Sequence, residues 1–217
     1  MELIIARPSP YARKIRIALI EKSIPCVVTV DNPWLENPRI QQVNPIGKVP
    51  ALLTDHGDVI HDSKVIFEYI EMIYPTPALL PDAPREKIIH KQVEAICDGI
   101  CDAIVLIAME GTRPAETRSA PWVARQARKI YAGVEELSNR LGGRGAFTDM
   151  SYGLAEIAVV TALTYVDFRY PEFDWRPKFP NLLDLYDRVS VRESFKETVP
   201  EGQTLPFIKH QDASLTR

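Results

Sequence analysis

The chain of 217 residues, 46% apolar and 25% charged, is long enough for one large domain or two small ones and too ordinary in composition to be disordered. Its 26 basic and 29 acidic residues leave a net charge of −3 with no stretch concentrated in Lys and Arg, which argues against a nucleic-acid partner. No apolar run approaches the ~20 residues of a membrane span, Met1-Glu2-Leu3 lacks the basic start of a signal peptide, and Cys26, Cys97 and Cys101 are too few for a disulfide scaffold, so a cytoplasmic location is expected.

Glu2–Ala6 reads as a short apolar strand, after which Tyr11, Ile15, Ala18 and Leu19 recur at helical spacing between Pro10 and Lys22. Cys26–Val30 is β-branched and strand-like, and a helical turn is expected around Pro38–Gln42. Val49–Thr54 and Asp58–His61 flank the turn Asp55-His56-Gly57 as a predicted hairpin. Ile66, Tyr69, Ile70 and Ile73 then trace one face of a helix that opens at Asp62-Ser63. The order βαβαββα predicts a layered α/β unit over residues 1–74. Proline is in excess, at 18 residues, and Pro75, Pro77, Pro81 and Pro84 fall where no helix or central strand can pass. Residues 75–84 are therefore the expected linker.

From 85 to 217 the period is helical. Ile89, Val93, Ile96, Ile100, Ile104 and Ile107 form a stripe for a helix of about 25 residues. Val123, Ala127, Ile130, Val134, Leu137 and Leu141 repeat like a bundle seam and stop at Gly142-Gly143. Leu154–Phe168 is apolar on nearly every face and should be the buried central helix. Two shorter helices are predicted over Pro180–Val189 and Val191–Thr198, and residues 199–217, which lack a period, are expected to run over the surface.

Ser9-Pro10-Tyr11-Ala12 stands where a strand hands over to a helix, a place that favours negative charge. A Cys-x-x-Cys redox pair would occupy the first and last of these positions; Ser9 and Ala12 exclude it. Ser9 reads either as a helix N-cap ahead of Pro10 or as a functional hydroxyl, with His61 only a remote candidate base. In Asn44-Pro-Ile-Gly-Lys-Val-Pro50, a proline at a strand start fits an edge strand or a cis Val49–Pro50 bond that turns the Val49 backbone toward a ligand. Asp62 and Ser63 read as a cap or as a small-molecule site, with helix N–H groups and the hydroxyl taking a carboxylate and Asp62 an ammonium.

These three motifs, the proline linker and the all-helical second half together resemble the glutathione transferase family over nearly the whole chain. The Ser9-Pro10-Tyr11 opening looks like its serine-using branches, similar to the plant tau class and related bacterial members. The resemblance implies a thioredoxin-like domain that binds glutathione, an all-α domain that supplies a hydrophobic co-substrate wall, and a homodimer. It further implies transfer of glutathione to a small hydrophobic electrophile, in detoxification, with no metal and no cofactor beyond glutathione as co-substrate. Carried over by position, Ser9 is the catalytic residue, Lys48 and Val49 border the cysteinyl part of glutathione, and Asp62 and Ser63 hold its γ-glutamyl end. Tyr11, Ile107, Tyr165 and Phe168 are candidates for the electrophile's pocket, although such residues are also ordinary core. Asp98 and Asp102 are a solvated pair or a contact to the glutathione ammonium, and Arg39, with Trp34 beside it, is a candidate for the glycine carboxylate.

Two departures accompany the likeness. Gly153 and Glu156 occupy places where the family's buried sixth helix usually has a Ser/Thr cap and an Asp, which predicts a locally weaker helix start. Arg192-Glu-Ser-Phe195 replaces the common Arg-Pro-Ser-Phe. His90, Glu94, Cys97 and Cys101 share one helical stripe with zinc-binding chemistry, but ~16 Å of helix is too long for one ion, and buried small hydrophobes account better for the cysteines. The alternatives to a transferase are a glutathione-binding or protein-interaction module without turnover, and a glutathione-dependent isomerase or peroxidase; the isomerase branch usually opens Ser-Ser-Cys, which is absent here.

Overall fold

The computed structural model describes residues 1–203. Its first unit comprises Met1–Ala78 together with the chain from Glu193, and its second comprises Leu79–Arg192.

In the first unit, β1 (Glu2–Ile5), β2 (Val27–Val30), β3 (Ala51–Leu53) and β4 (Val59–Ile60) form a mixed sheet in the order β2-β1-β3-β4. β1 and β2 are parallel, while β3 is antiparallel to both β1 and β4. The helices are α1 (Pro10–Glu21), the one-turn α2 (Ile40–Val43) and α3 (Ser63–Ile73). Side chains alternate across a sheet. Ile4 and Ala51 accordingly meet Ile40, Val43 and Val49 on the α2 face, while Leu3 and Leu52 are buried on the other.

A buried lysine closes the far end of this unit. Lys22 Nζ reaches Glu71 Oε1 at 2.7 Å and donates to the Tyr74 carbonyl at 2.7 Å and the Pro77 carbonyl at 2.5 Å. All three ammonium donors are thereby used, which is the condition for burying the charge. The division between units falls just beyond, inside the proline-rich stretch.

The second unit contains α4 (Pro84–Gly111), a 3₁₀ turn (Ala115–Thr117), α5 (Ala120–Leu141), α6 (Leu154–Arg169) and α7 (Pro180–Ser190). α4 packs on both α5 and α6. A Cβ on Gly133 would lie 2.6 Å from Ile100 Cγ1, so the missing side chain permits the close α4–α5 approach. Every α6 residue from Leu154 to Leu163 is buried, as its nearly uniform apolar pattern requires.

The start of α6 is built from parts that are distant in sequence. Gly153 has no side chain to cap with; Glu156, fully buried, reaches back so that its Oε2 accepts from Gly153 N at 2.9 Å and its Oε1 from Phe147 N at 3.2 Å. Leu154 N donates to the Leu79 carbonyl at 2.8 Å, and Ala155 N to His90 Nδ1 at 3.2 Å. Three orphan donors of the helix are thus satisfied, two of them by other segments. A Cβ on Gly153 would lie 2.6 Å from Leu79 O and 3.1 Å from His90 Cε1, so glycine is what admits those partners. The expected weakness of this helix start is therefore made good by Glu156 of α6 itself, by the Leu79 carbonyl ahead of α4 and by His90 on α4.

The last helix departs from expectation. Instead of Val191–Thr198, only α8 (Glu193–Lys196) is helical, and the described residues from Glu193 group with the first unit. The cause is a set of polar anchors on α1. Ser194 Oγ bonds Glu21, Arg13 Nη2 donates to the Phe195 carbonyl at 3.3 Å, and Arg16 Nη2 to the Glu197 carbonyl at 3.0 Å. The aperiodic stretch expected over the surface continues past the described residues beyond 203.

Candidate functional site

The sheet register gathers the motif residues of the first unit at one end. Ile4 pairs with Ala51, and Leu52 with Ile60. Because β3 runs against both neighbours, the end of β1 that leads to Ser9, the start of β3 after Val49-Pro50, and the end of β4 that leads to Asp62 lie side by side. Strands are ~4.8 Å apart, so the row from the Ser9 turn to Asp62 crosses about 10 Å. His61 belongs to the β4 end of this row, two strands from β1.

Ser9 is the N-cap of α1: its Oγ accepts from Ala12 N at 3.2 Å, and Pro10 occupies the first turn. Ser9 is half-buried, and the first turn of α1 has no acidic residue to offset the positive end of the helix. The arrangement can present a hydroxyl proton and a partial positive charge to an anion.

Val49-Pro50 is a cis peptide, and β3 is an inner strand, which answers the choice between an edge strand and a cis bond. Val49 packs its half-buried side chain on the Ile4–Ile40–Ala51 core, whereas Lys48 is exposed. The loop before them is pinned by buried Asn44, whose Nδ2 donates to the Lys48 carbonyl at 2.7 Å and whose Oδ1 accepts from Ile46 N at 3.2 Å. Gly47, at φ 64°, completes the turn in a region that favours glycine. Asp62 caps α3, its Oδ1 accepting from Lys64 N at 2.8 Å; Asp62 is exposed and Ser63 is buried at the same helix start.

Other candidates are already committed or lie in the second unit. Arg39 makes a two-pronged pair with Glu2, at 2.6 and 2.8 Å, which keeps the Glu2 carboxyl below its usual range. Trp34 is exposed in the loop before α2. Tyr11 is half-buried on α1. In the second unit, Ile107 is half-buried on α4, and the rings of buried Tyr165 and half-buried Phe168 stand 6.5 Å apart on α6. Burial pushes the Tyr165 hydroxyl up to about 12. Asp98 is half-buried and Asp102 exposed, and both are engaged by other groups of the protein.

The His90, Glu94, Cys97 and Cys101 stripe is buried, and among the described residues no three His, Cys, Asp or Glu side chains group as a metal site would need. His90 instead caps α6, with Nε2 2.9 Å from Thr148 Oγ1, and burial lowers its pKa to about 4. A cavity of about 210 Å³ lies elsewhere, between the loop after α5 and α7. Its arginines are spent on carbonyls, Arg188 on Gly145 and Arg144 on Arg140 and Leu141, so it is a loop seam. Among the described residues no helix is long and apolar enough to cross a membrane.

Sequence reasoning missed Asn44, visible only as the first letter of its motif, and Gln203, which carries no local signal at all. Gln203 Oε1 accepts from Arg7 N at 3.1 Å, and its Nε2 donates to the Asp31 carbonyl at 2.9 Å.

Comparison with known proteins identifies the family. Residues 8–73 match the family model described as glutathione S-transferase, N-terminal domain, and residues 120–188 the one described as glutathione S-transferase, C-terminal domain. An uncharacterized GST-like protein of Escherichia coli K12, YibF, is 36% identical, the match covering 92% of this chain and 98% of that one. A maleylacetoacetate isomerase of Pseudomonas aeruginosa is 28% identical across 94% and 97% of the two chains. The crystal structure of a glutathione S-transferase from Methylobacterium radiotolerans, in complex with glutathione sulfonate, superposes with a TM-score of 0.91 at 43% identity, covering 94% of this chain and 96% of that chain. The motifs, the register that aligns them and these likenesses converge: the chain belongs to the glutathione S-transferase family.

Proposed function

We propose that the protein is a glutathione transferase in which Ser9 holds the thiolate of bound glutathione for attack on a small hydrophobic electrophile. The observation that carries this reading is the sheet register, which lines up Ser9, Val49 and Asp62-Ser63 across about 10 Å, the span of three extended residues. The γ-glutamyl end meets Asp62 and Ser63, the cysteinyl amide meets the Val49 backbone beside Lys48, and the thiol reaches Ser9.

A thiol of pKa ~8.5 is about 3% ionised at pH 7, and a drop of ~2 units raises this to about 75%, at a cost of ~2.7 kcal/mol in thiolate stabilisation. A Ser9 hydrogen bond and the uncompensated start of α1 are groups of the right kind to supply it. The thiol proton passes to solvent, the sulfur lone pair forms the new C–S bond, and the leaving group departs with its bonding electrons. No metal or organic cofactor enters these steps. Tyr11, half-buried on α1 two residues after Ser9, is assigned to the electrophile's wall. A homodimer fits the exposed apolar positions Val65, Met72 and Ile73 of α3. A cytoplasmic, detoxifying role completes the reading.

A second reading, thiolate-assisted cis–trans isomerisation, is favoured by the likeness to the Pseudomonas isomerase. Reversible addition of the thiolate to a conjugated double bond, rotation and expulsion would return glutathione unchanged. Retention on immobilised glutathione, then assays with an aromatic halide, a hydroperoxide, a disulfide and a cis-enedione acid, separate these activities. Failure to bind glutathione at millimolar concentration overturns both readings.

A further inference from the structure

The structure assigns Gln203, near the end of the described chain, as a positioning residue for the Ser9 turn. The proposal rests on the Ser9 reading above and adds the part that sets where Ser9 stands.

β1 and β2 are parallel, with Ile5 opposite Val30, and the ladder continues one step as Asp31 N donates to the Ile5 carbonyl at 2.7 Å. In a parallel ladder the next rung would run from Arg7 N to the Asp31 carbonyl. That rung is split. The Gln203 carboxamide stands inside it, accepting from Arg7 N at 3.1 Å and donating to Asp31 O at 2.9 Å. A primary amide has the acceptor and the donor to do both at once. The two chains therefore part at Arg7, two residues before Ser9, by the thickness of an inserted side chain.

The segment carrying Gln203 is anchored first by buried Phe195, with the Arg13 guanidinium over its ring, and beyond it by polar contacts. Arg7 pairs with Glu201, Arg13 Nε donates to Thr198 Oγ1 at 3.4 Å, and Arg16 donates to Glu197 O, while Val199, Val28 and Val30 remain largely exposed. Loss of the carboxamide should loosen residues 201–203 without unfolding the unit, because buried Phe195 and its Arg13 contact still hold the segment. Arg7 N and Asp31 O can then close directly, drawing the Ser9 turn toward β2 and away from the thiolate.

The test uses the full chain and its Gln203→Ala variant, with a variant ending after Pro200 as a second removal of the same group. Both should lose 5- to 20-fold in kcat for an aromatic halide at pH 6.5, recover toward wild type at pH 8.5, and keep glutathione KM within twofold. Gln203→Asn, one methylene shorter, should recover part of the rate. The amide resonances of Arg7 and Ser9 should move in both variants while the melting temperature holds. An unshifted pH profile, a loss uniform across pH that follows a fall in melting temperature, or unmoved Arg7 and Ser9 resonances would each overturn the assignment. If Ser9→Ala leaves the bound-thiol titration unchanged, the parent reading falls first; if Ser9→Ala shifts it and Gln203→Ala does not, only the Gln203 assignment falls.

Discussion

Two helix starts in this molecule solve the same problem in opposite ways. At α1, Ser9 spends one acceptor position on Ala12 N, is half-buried, and has no acidic side chain in the first turn to offset the positive helix end. At α6, glycine removes the cap side chain, and Glu156, Leu79 O and His90 fill the space and satisfy the donors. The first start remains able to bind; the second is sealed. A helix N-terminus is therefore a site or a joint according to what its neighbours leave unpaired.

The largest expected effect comes from forcing a side chain into the sealed start. Gly153→Ala places a methyl 2.6 Å from a backbone carbonyl that cannot swing away, and should cost about 4 kcal/mol through overpacking and lost cap bonds. Urea unfolding of the variant reads this directly, and an unchanged midpoint would show that the joint relaxes freely.

Acid should open the same joint. His90 has its pKa lowered by burial to about 4 from 6.5, with Lys91 beside it adding to the effect, so between these values the unfolded chain holds the extra proton. Stability then falls as pH drops from 6.5 through 4, by up to about 3 kcal/mol. Glu156, which faces the same helix start and is raised by burial, acts with the opposite sign and offsets part of the slope near its own range. His90→Gln keeps an acceptor without the titration, so its unfolding free energy should lose the slope between pH 6.5 and pH 4. A variant with the wild-type slope would move the acid sensitivity elsewhere.

At the open start the effects divide differently. Ser9→Ala should lower kcat/KM about 100-fold at pH 6.5, the equivalent of ~2.7 kcal/mol, and raise the bound-thiol pKa by ~2 units, yet cost only about 1 kcal/mol in stability as a cap. Equal losses in both would make Ser9 a joint like Gly153. The smallest change is Pro10→Ala, expected to cost about 0.5 kcal/mol through the freer unfolded chain and to leave the thiol titration in place.

What could be read from the amino acids follows the range of the forces involved. The strands and helices were legible because apolar spacing encodes them, and Ser9 and Asp62 were legible as caps because capping is a contact over two or three residues. That these two residues share one end of the sheet was not legible, since register depends on pairing between distant strands. His90 showed only a buried stripe; its partner, Ala155 N, is 65 residues away. The return of the chain to the first unit was hidden for the same reason: Arg13, Arg16 and Glu21 grip residues near the other terminus through side-chain bonds that leave no period.

That return has a consequence in time. The ribosome completes the sheet, α1 and α3 early, then makes all of Leu79–Arg192 before the strand of chain that grips α1 exists. At ~5–20 residues per second the delay is about 6–23 s. Through that interval the α1 face of Arg13 and Glu21 waits uncovered, and the carboxamide that parts β1 from β2 has not yet been made. The first unit begins the chain but is finished near its end, so a fragment cut at the proline-rich stretch would be an unfinished domain.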